Sequence, residues 1–413
     1  MRHLGLDRPL ITVVFLLSAY GLLTLYSAGQ TDVVTQAQDV WIRQLVWMAL
    51  GVVAAAVVFR FSFRLLEWLA PAGYAFAIIL LLITLAVGTG QGTATGTKSW
   101  LAIGGHQIGQ PAELAKLAVI LMLARYLSGL REAPRNLREL VGPCLIAGVP
   151  FLLVLKQPDL GSAIVFIGIL FLMLFWAGVK PSLLFLLASP GISLFLAFNT
   201  WTWGVWMIVL AVLLFAWRPY VAEGVLVYVA NSVMGALAIP LWQRLAPYQQ
   251  NRLLTFLNPE IDPRAAGYHA IQSRVAIGSG GWLGNGFTEG PQKRLAFLPA
   301  QHTDFIFSVV GEELGFLGVL VALALFLALF LVVLRIARRA TDPFASLAAF
   351  GVLALFFTHV FENVGMTVNL MPITGIPLPF FSYGGSFFLV CCVAVGLLLR
   401  AAWDARLSGY ADV

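Results

Sequence analysis

The chain has 413 residues, 60% of them hydrophobic and 11% charged, with a mean hydropathy of +0.90. A soluble domain carries about 25% charged residues, so composition excludes a water-soluble globule and points to a polytopic membrane protein. The formal charge of +6 gives no reason to expect nucleic acid, because its basic residues gather at one membrane face.

Apolar runs of roughly 20 residues, the length needed to cross a bilayer, fall near 9–28, 41–59, 68–88, 112–129, 141–156, 159–178, 182–199, 201–217, 222–241, 305–334, 343–364 and 380–402. The pairs around 156–159 and 199–201 are tightly connected, so the expectation is ten to twelve transmembrane helices. The first run has no small-residue cleavage site and a second run soon follows it, so it reads as a retained anchor. The expected fold is an all-α polytopic membrane protein, one domain over 1–413, with a large extracytoplasmic loop at 242–304.

Orientation follows from basic residues in short loops. Arg2, Arg8, Arg60, Arg64, Arg131, Arg135, Arg138, Lys180, Arg218, Arg335, Arg338, Arg339 and Arg406 share one side if the N-terminus is cytoplasmic. The other side holds little beyond Arg43, Lys98 and Lys156, so both termini are expected inside. Cys144, Cys391 and Cys392 show neither a disulfide framework nor metal spacing and read as packing residues.

Three outward segments are unusual. The stretch 89–111 is rich in Gly and Thr, and Met371 to Ser386 concentrates Pro and Gly. Such composition at one face favours irregular backbone lining a cavity. Within 242–304, Asn258 to Pro263 reads as a turn, and 266–277 has helical spacing with Tyr268, Ile271, Val275 and Ile277 towards one side. Gly278 to Gly286 reads as a glycine-rich turn. It lacks the βαβ setting that dinucleotide binding needs.

Charge inside an apolar run carries the functional signal. Asp304 opens the run that reaches Leu334, with Glu312 and Glu313 about two turns further in. An ionised group at the membrane centre costs roughly 2.5–3.5 kcal/mol on insertion scales and usually serves a pathway, a reaction or an ion pair. Asp304 is therefore the candidate catalytic residue, with helix capping as the plain alternative, while Glu312 and Glu313 are read as structural. Glu113 and Lys116, three apart, share a helix face and form an ion pair. The ammonium is also placed to meet an anionic ligand. Lys156 to Gly161 reads as a turn with Asp159 capping the next helix. Arg252, Arg264, Arg274, Lys293 and Arg294 bring positive charge to the outer surface, where guanidinium forks suit phosphate oxygens. His3, His106, His269 and His359 have no metal-ligand spacing. The sum is an outward cavity, acidic at Asp304 and basic around it, within reach of the bilayer, suited to a lipid-linked anionic substrate.

The motifs Gln110-Pro-Ala-Glu113-Leu-Ala-Lys116, Gln157-Pro-Asp159-Leu-Gly, Gly267-Tyr-His-Ala-Ile-Gln272-Ser, Ala276-Ile-Gly-Ser-Gly-Gly, His302-Thr-Asp304-Phe-Ile-Phe and Pro377-Leu-Pro-Phe-Phe-Ser382-Tyr-Gly-Gly-Ser occur in that order. Together, over about residues 10–402, they resemble the SEDS (shape, elongation, division and sporulation) proteins, and the elongation branch, RodA-like, more than the division branch. The resemblance implies a peptidoglycan glycosyltransferase polymerising lipid II outside the bacterial cytoplasmic (inner) membrane during elongation. It implies Asp304 as the essential catalytic residue, activity-linked Glu113 and Lys116, a class B penicillin-binding protein as transpeptidase partner, and contact with the elongation machinery and membrane lipid. From the same motifs His302, Gln157 and Ser382 join Lys116, Glu113, Arg252, Arg264 and Arg274 as candidate substrate contacts. Three departures stand out. The basic residue before Trp100 is shifted to Lys98, acidic positions before the His-Thr-Asp motif read Ala296 or Ala300, and 179–241 adds a hydrophobic pair.

Joining a sugar hydroxyl to an anomeric carbon with loss of a lipid pyrophosphate needs a base and a cationic site. Asp304 is the expected base; Lys116 with Arg252, Arg264 or Arg274 is the expected site for the leaving group. No dedicated cage for a metal is visible, although a divalent cation such as Mg2+ would suit the chemistry. A flippase for the lipid-linked precursor is the alternative, and a partner-binding scaffold a third reading.

Overall fold

The computed structural model describes residues 6–90, 98–103, 106–217, 219–245, 247–258, 266–298 and 300–411. Each apolar run becomes a helix: α1 (Arg8–Ala28), α2 (Val40–Phe59), α3 (Phe63–Val87), α4 (Pro111–Ser128), α5 (Leu137–Lys156), α6 (Leu160–Trp176), α7 (Pro181–Leu196), α8 (Thr200–Trp217) and α9 (Val221–Arg244), then α13 (Ile306–Arg339), α14 (Pro343–Thr367) and α15 (Gly385–Ala411). The segment expected as one large loop holds three short helices, α10 (Pro247–Leu257), α11 (Ala266–Ser279) and α12 (Pro291–Arg294). Among the described residues nine helices are long and apolar enough to cross a membrane, and α6 and α7 are shorter apolar helices. The chain is a multi-pass membrane protein.

One small exception to the all-α expectation is an antiparallel hairpin of β1 (Leu101–Ile103) and β2 (His106–Gly109), pairing Leu101 with Gly109 and Ile103 with His106. Strands this short leave no readable alternation in the sequence. The hairpin leads into α4, whose first residue is Pro111, where a missing N–H costs nothing.

Because connections are short, successive helices reverse direction. The beginning of α1 and the end of α15 therefore lie at one face, and the segments 29–39, 98–103, 106–110, 157–159 and 368–384 meet at the other. Central in the bundle is α14, buried over most of its length and packed on α4, α6, α13 and α15. Gly351 makes this possible: a Cβ there would sit 2.5 Å from Ile120 Cγ2 and 2.9 Å from Met173 Sδ. At the periphery, α7–α9 are joined by polar bonds, which replace the hydrophobic effect between helices in lipid. Asn231 Nδ2 donates to Ser189 Oγ (2.8 Å), and Trp206 Nε1 donates to Asn231 Oδ1 (3.1 Å).

The run from 305 is not one continuous helix. Gly315 has φ +60° and ψ −160°, a conformation open essentially to glycine, and splits α13. The glycine-rich turn repairs the break. Asn285 and Gly286 N–H donate to the carbonyls of Glu312 and Glu313 (3.0 and 3.1 Å), while Phe316 and Leu317 N–H donate to Gly281 and Trp282 (2.9 and 3.2 Å). Four backbone groups flanking the kink thus have partners, as a low-dielectric setting demands. Glu312 accepts from Gln292 N (2.6 Å) and Glu313 pairs with the buried Lys293 (2.6 Å), so both acids hold structure, as their reading proposed.

The buried face of α11 differs from expectation. Ala270, Ser273 and Ala276 are buried, whereas Val275 is 44% exposed. Small residues at a spacing of three bring α11 close to α13, where Ser308 hydroxyl donates to Ser273 (2.7 Å) and Ser273 donates to Thr367 O (2.7 Å).

Candidate active site

Asp304 lies in the turn that feeds α13. The N-cap is Phe305, and no side chain caps the helix. The capping alternative therefore fails, and Asp304 lines a cavity of about 710 Å³. Its backbone is held rigidly. Tyr383 N–H donates to His302 O (2.9 Å), Ser382 Oγ to Thr303 O (2.6 Å) and Asn363 Nδ2 to Asp304 O (2.8 Å). Three successive carbonyls are thus bound by α14 and by the Pro/Gly loop between α14 and α15. Ala296 and Ala300 adopt φ of 56° and 48°, and Phe380 φ of 63°, so strained backbone clusters around this turn. Opposite the carboxylate, Gly375 has φ +77°, and a Cβ there would lie 3.3 Å from Asp304 Oδ2. Only glycine gives the acid that clearance without strain.

The cavity wall draws on several segments at this face: Trp100 and Gln110 before α4, Asp159 before α6, Arg252 on α10, and Thr374 to Pro377 with Tyr383 on the last loop. Burial pushes the Asp304 carboxyl up to about 6, a rise that Asp159 adds to and that Arg252 and a Thr303 hydrogen bond oppose. Burial and the nearby Arg43 lower His302 to about 4, which keeps the imidazole neutral at physiological pH. Burial, with Arg252, also lowers His269 on α11. A carboxylate whose pKa approaches neutrality beside a guanidinium can accept a proton and shelter an anion.

The sequence candidates separate clearly in space. Asp304, His302, Glu113 and Arg252 line the cavity. Lys116 does not: fully buried behind the wall, it pairs with Glu113 Oε1 (2.8 Å) and meets His359 Nε2 (3.0 Å). Gln157 is also buried off the cavity and donates to Leu81 O (2.9 Å). Ser382 is a backbone clamp, accepting from Leu378 N (2.8 Å) while donating to Thr303 O. Arg274 is exposed on α11, outside the lining, because its side of the helix faces away from the buried Ala270–Ser273–Ala276 stripe. Arg264 lies outside the described residues.

One cavity residue and one residue packed on the cavity wall were read otherwise in the sequence. Asp159 does cap α6, accepting Ser162 N–H at Oδ1 (3.0 Å), but its Oδ2 accepts Gln110 Nε2 (2.6 Å) in the cavity wall. It supplies an acidic neighbour to Asp304 that Ala296 and Ala300 do not. Arg43, an exception in the charge count, sits with its guanidinium carbon 5.7 Å from the centre of the ring of Tyr383, which lines the cavity. Among the described residues no group of three or more His, Cys, Asp or Glu is arranged to hold a metal ion.

Comparison with known proteins shows the family. The model of the FtsW, RodA and SpoVE family, described as cell cycle protein, matches residues 7–203 and 200–407. Peptidoglycan glycosyltransferase RodA of Treponema pallidum is 35% identical over 95% of this chain and 96% of its own. Peptidoglycan glycosyltransferase MrdB of Escherichia coli K12 is 35% identical over 95% of this chain and 92% of its own. A solved chain described under structural coordination of polymerization and crosslinking by a peptidoglycan synthase complex superposes with a TM-score of 0.71 at 29% identity, covering 97% of this chain and 98% of that one. The rod shape determining protein RodA of Thermus thermophilus superposes with a TM-score of 0.62 at 27% identity, covering 98% and 99%.

Proposed function

This chain belongs to the FtsW, RodA and SpoVE family of cell cycle proteins, and we propose that it is a peptidoglycan glycosyltransferase that polymerises lipid II, with Asp304 as general base. The observation that carries the assignment of the base is a carboxylate set in the wall of a 710 Å³ cavity with its pKa raised to about 6. Burial makes the ionised form reactive, and a base near the operating pH is the most effective kind, worth roughly 10²–10⁴-fold.

In the step, the acceptor's 4-hydroxyl gives its proton to Asp304 as its oxygen bonds to the donor's anomeric carbon. The bond from that carbon to the lipid pyrophosphate breaks, and the pyrophosphate leaves with the electron pair. Arg252 is the cavity-lining cation suited to its charge. Lys116 acts from behind the wall through Glu113. A divalent cation such as Mg2+, carried by the substrate pyrophosphate, would suit the same charge. On this reading the cavity face is extracytoplasmic, both termini are cytoplasmic, the 242–304 segment lies outside, and a class B penicillin-binding protein supplies crosslinking. The flippase alternative would need polar groups along a path through the membrane, whereas the cavity is built from helix ends and loops of one face.

The test is polymerisation of defined lipid II by the purified protein with its transpeptidase partner, with and without Mg2+. Glycan strands should form with wild-type protein and fall at least 100-fold with Asp304→Asn. Strands at the wild-type rate from that variant would remove Asp304 from the chemistry. Translocation of lipid II without polymerisation would favour the flippase.

A further inference from the structure

Behind the cavity wall the Glu113–Lys116 pair continues into a buried histidine that the chemistry above does not use. His359 on α14 is fully buried and stacks on Phe387, ring centres 4.5 Å apart at 20°. Its Nδ1 lies 3.1 Å from Pro377 O, and its Nε2 lies 3.0 Å from Lys116 Nζ. A carbonyl only accepts, so Nδ1 carries the hydrogen. The Nε2 lone pair then accepts from the ammonium, and a second hydrogen there would oppose it. One turn along the same face, Asn363 Nδ2 donates to Ile376 O and to Asp304 O, both at 2.8 Å. His359 and Asn363 therefore grip successive carbonyls of the loop whose Gly375 backs the Asp304 carboxylate.

Building on the glycosyltransferase reading, we infer that His359 is a positioning residue that ties the buried Glu113–Lys116 pair to the Thr374–Pro377 loop, so that the pair and the loop facing Asp304 keep one register. Lys116 is held on one side by Glu113 and on the other by His359, while Glu113 reaches the cavity. In a dry interior such a chain is strong when satisfied and costly when one link is cut. Cutting it at His359 leaves the ammonium with one acceptor fewer and the Pro377 carbonyl without its donor. The cavity volume remains, but the reacting geometry loosens. The expected loss is in the chemical step and not in lipid II binding, because His359 contacts the wall residues Phe387 and Pro377 from behind and does not itself line the cavity.

The test uses the full chain with its partner in lipid nanodiscs and three variants. His359→Phe keeps the ring stack and removes both hydrogen bonds. His359→Asn keeps a donor near the position of Nδ1, and His359→Gln keeps an acceptor near that of Nε2. Lipid II polymerisation should show kcat reduced about 10–100-fold in the Phe variant with KM within about twofold of wild type, and partial recovery in Asn and Gln. In parallel, nitrogen-15 spectra of histidine-labelled protein should give the resonance lost in His359→Phe as the neutral Nδ1–H form. An unchanged kcat in the folded Phe variant, a rise confined to KM, or an imidazolium signal would overturn the inference. So would a kcat loss shared by all three variants in proportion to lowered melting temperature, because packing alone would then explain it. Wild-type and Asp304→Asn controls separate the two levels. A silent wild type tells against the glycosyltransferase reading, whereas active wild type with an unaffected Phe variant tells against His359 alone.

Discussion

A general base raised by burial should cost the protein stability, and that cost can be measured apart from catalysis. The Asp304 carboxyl moves from an ordinary 3.8 to about 6. At 1.36 kcal/mol per unit, the ionised form is disfavoured in the folded state by about 3 kcal/mol. The sign runs opposite to a salt-bridged acid. The folded chain binds this proton more tightly than the unfolded chain, so above about pH 6 the folded state carries the full cost. As pH falls from about 6 to about 4 the folded chain takes up the proton first and the cost is relieved. Below that both states are protonated and no difference remains.

Asp304→Asn keeps shape and removes the charge. It should therefore abolish polymerisation and yet stabilise the protein at pH 7.5, by up to about 3 kcal/mol, since a realistic unfolded chain recovers part of the difference. Thermal unfolding in one detergent, at pH 7.5 and again at pH 4.5, checks both parts. The variant should melt a few degrees higher at the first pH, and the gap should narrow at the second. Melting at or below wild type at pH 7.5, or a gap indifferent to pH, would refute the claim that Asp304 is a buried, strained charge.

The wild-type kcat/KM should fall on the acid side with a midpoint near pH 6, where Asp304 gains its proton. Arg252→Gln removes a charge that holds this value down, so a pH–rate series should show the midpoint moved upward; an unmoved midpoint would place Arg252 away from the acid. Lys116→Met strands the buried Glu113 carboxylate and should destabilise by about 3–5 kcal/mol, with Glu113→Gln in the same chain recovering part of it, read by thermal melts of the single and double variants. Gly284→Ala should cost about 3 kcal/mol or more, because Gly284 has φ +84° and its new Cβ would overlap the Glu313 carbonyl; a melt unchanged from wild type would mean the helix break is not braced by that turn.

Much of this site was legible because membranes make charge conspicuous. Asp304 stood out at the mouth of an apolar run, and Glu113 with Lys116 followed from helical spacing, which fixes neighbours three apart. All twelve runs became helices for the same reason: apolar length is a local property. Tertiary relations were not legible. His359 meets Lys116 across 243 residues of chain. Gly315 resembles any glycine in a membrane helix until the turn at 281–286 is folded against it. Asp159 read as a cap and is one, but its second oxygen faces the cavity wall, and no spacing rule reports the unused half of a carboxylate.

The motif residues that proved to lie off the cavity explain why a motif blurs two kinds of demand. Gln157 and Ser382 stand in runs as recognisable as that of Asp304, yet Gln157 gives its amide N–H to Leu81 O and Ser382 spends its hydroxyl on Leu378 N and Thr303 O. A loop that must hold an acid at a cavity wall inside a membrane has to satisfy each of its own peptide groups there. The side chains that do so are as constrained in kind and position as the acid. What distinguishes the two classes is where the polar atoms end: on the protein's own carbonyls, or, as for Asp304, Asp159, Glu113 and Arg252, at the cavity wall where a substrate would lie.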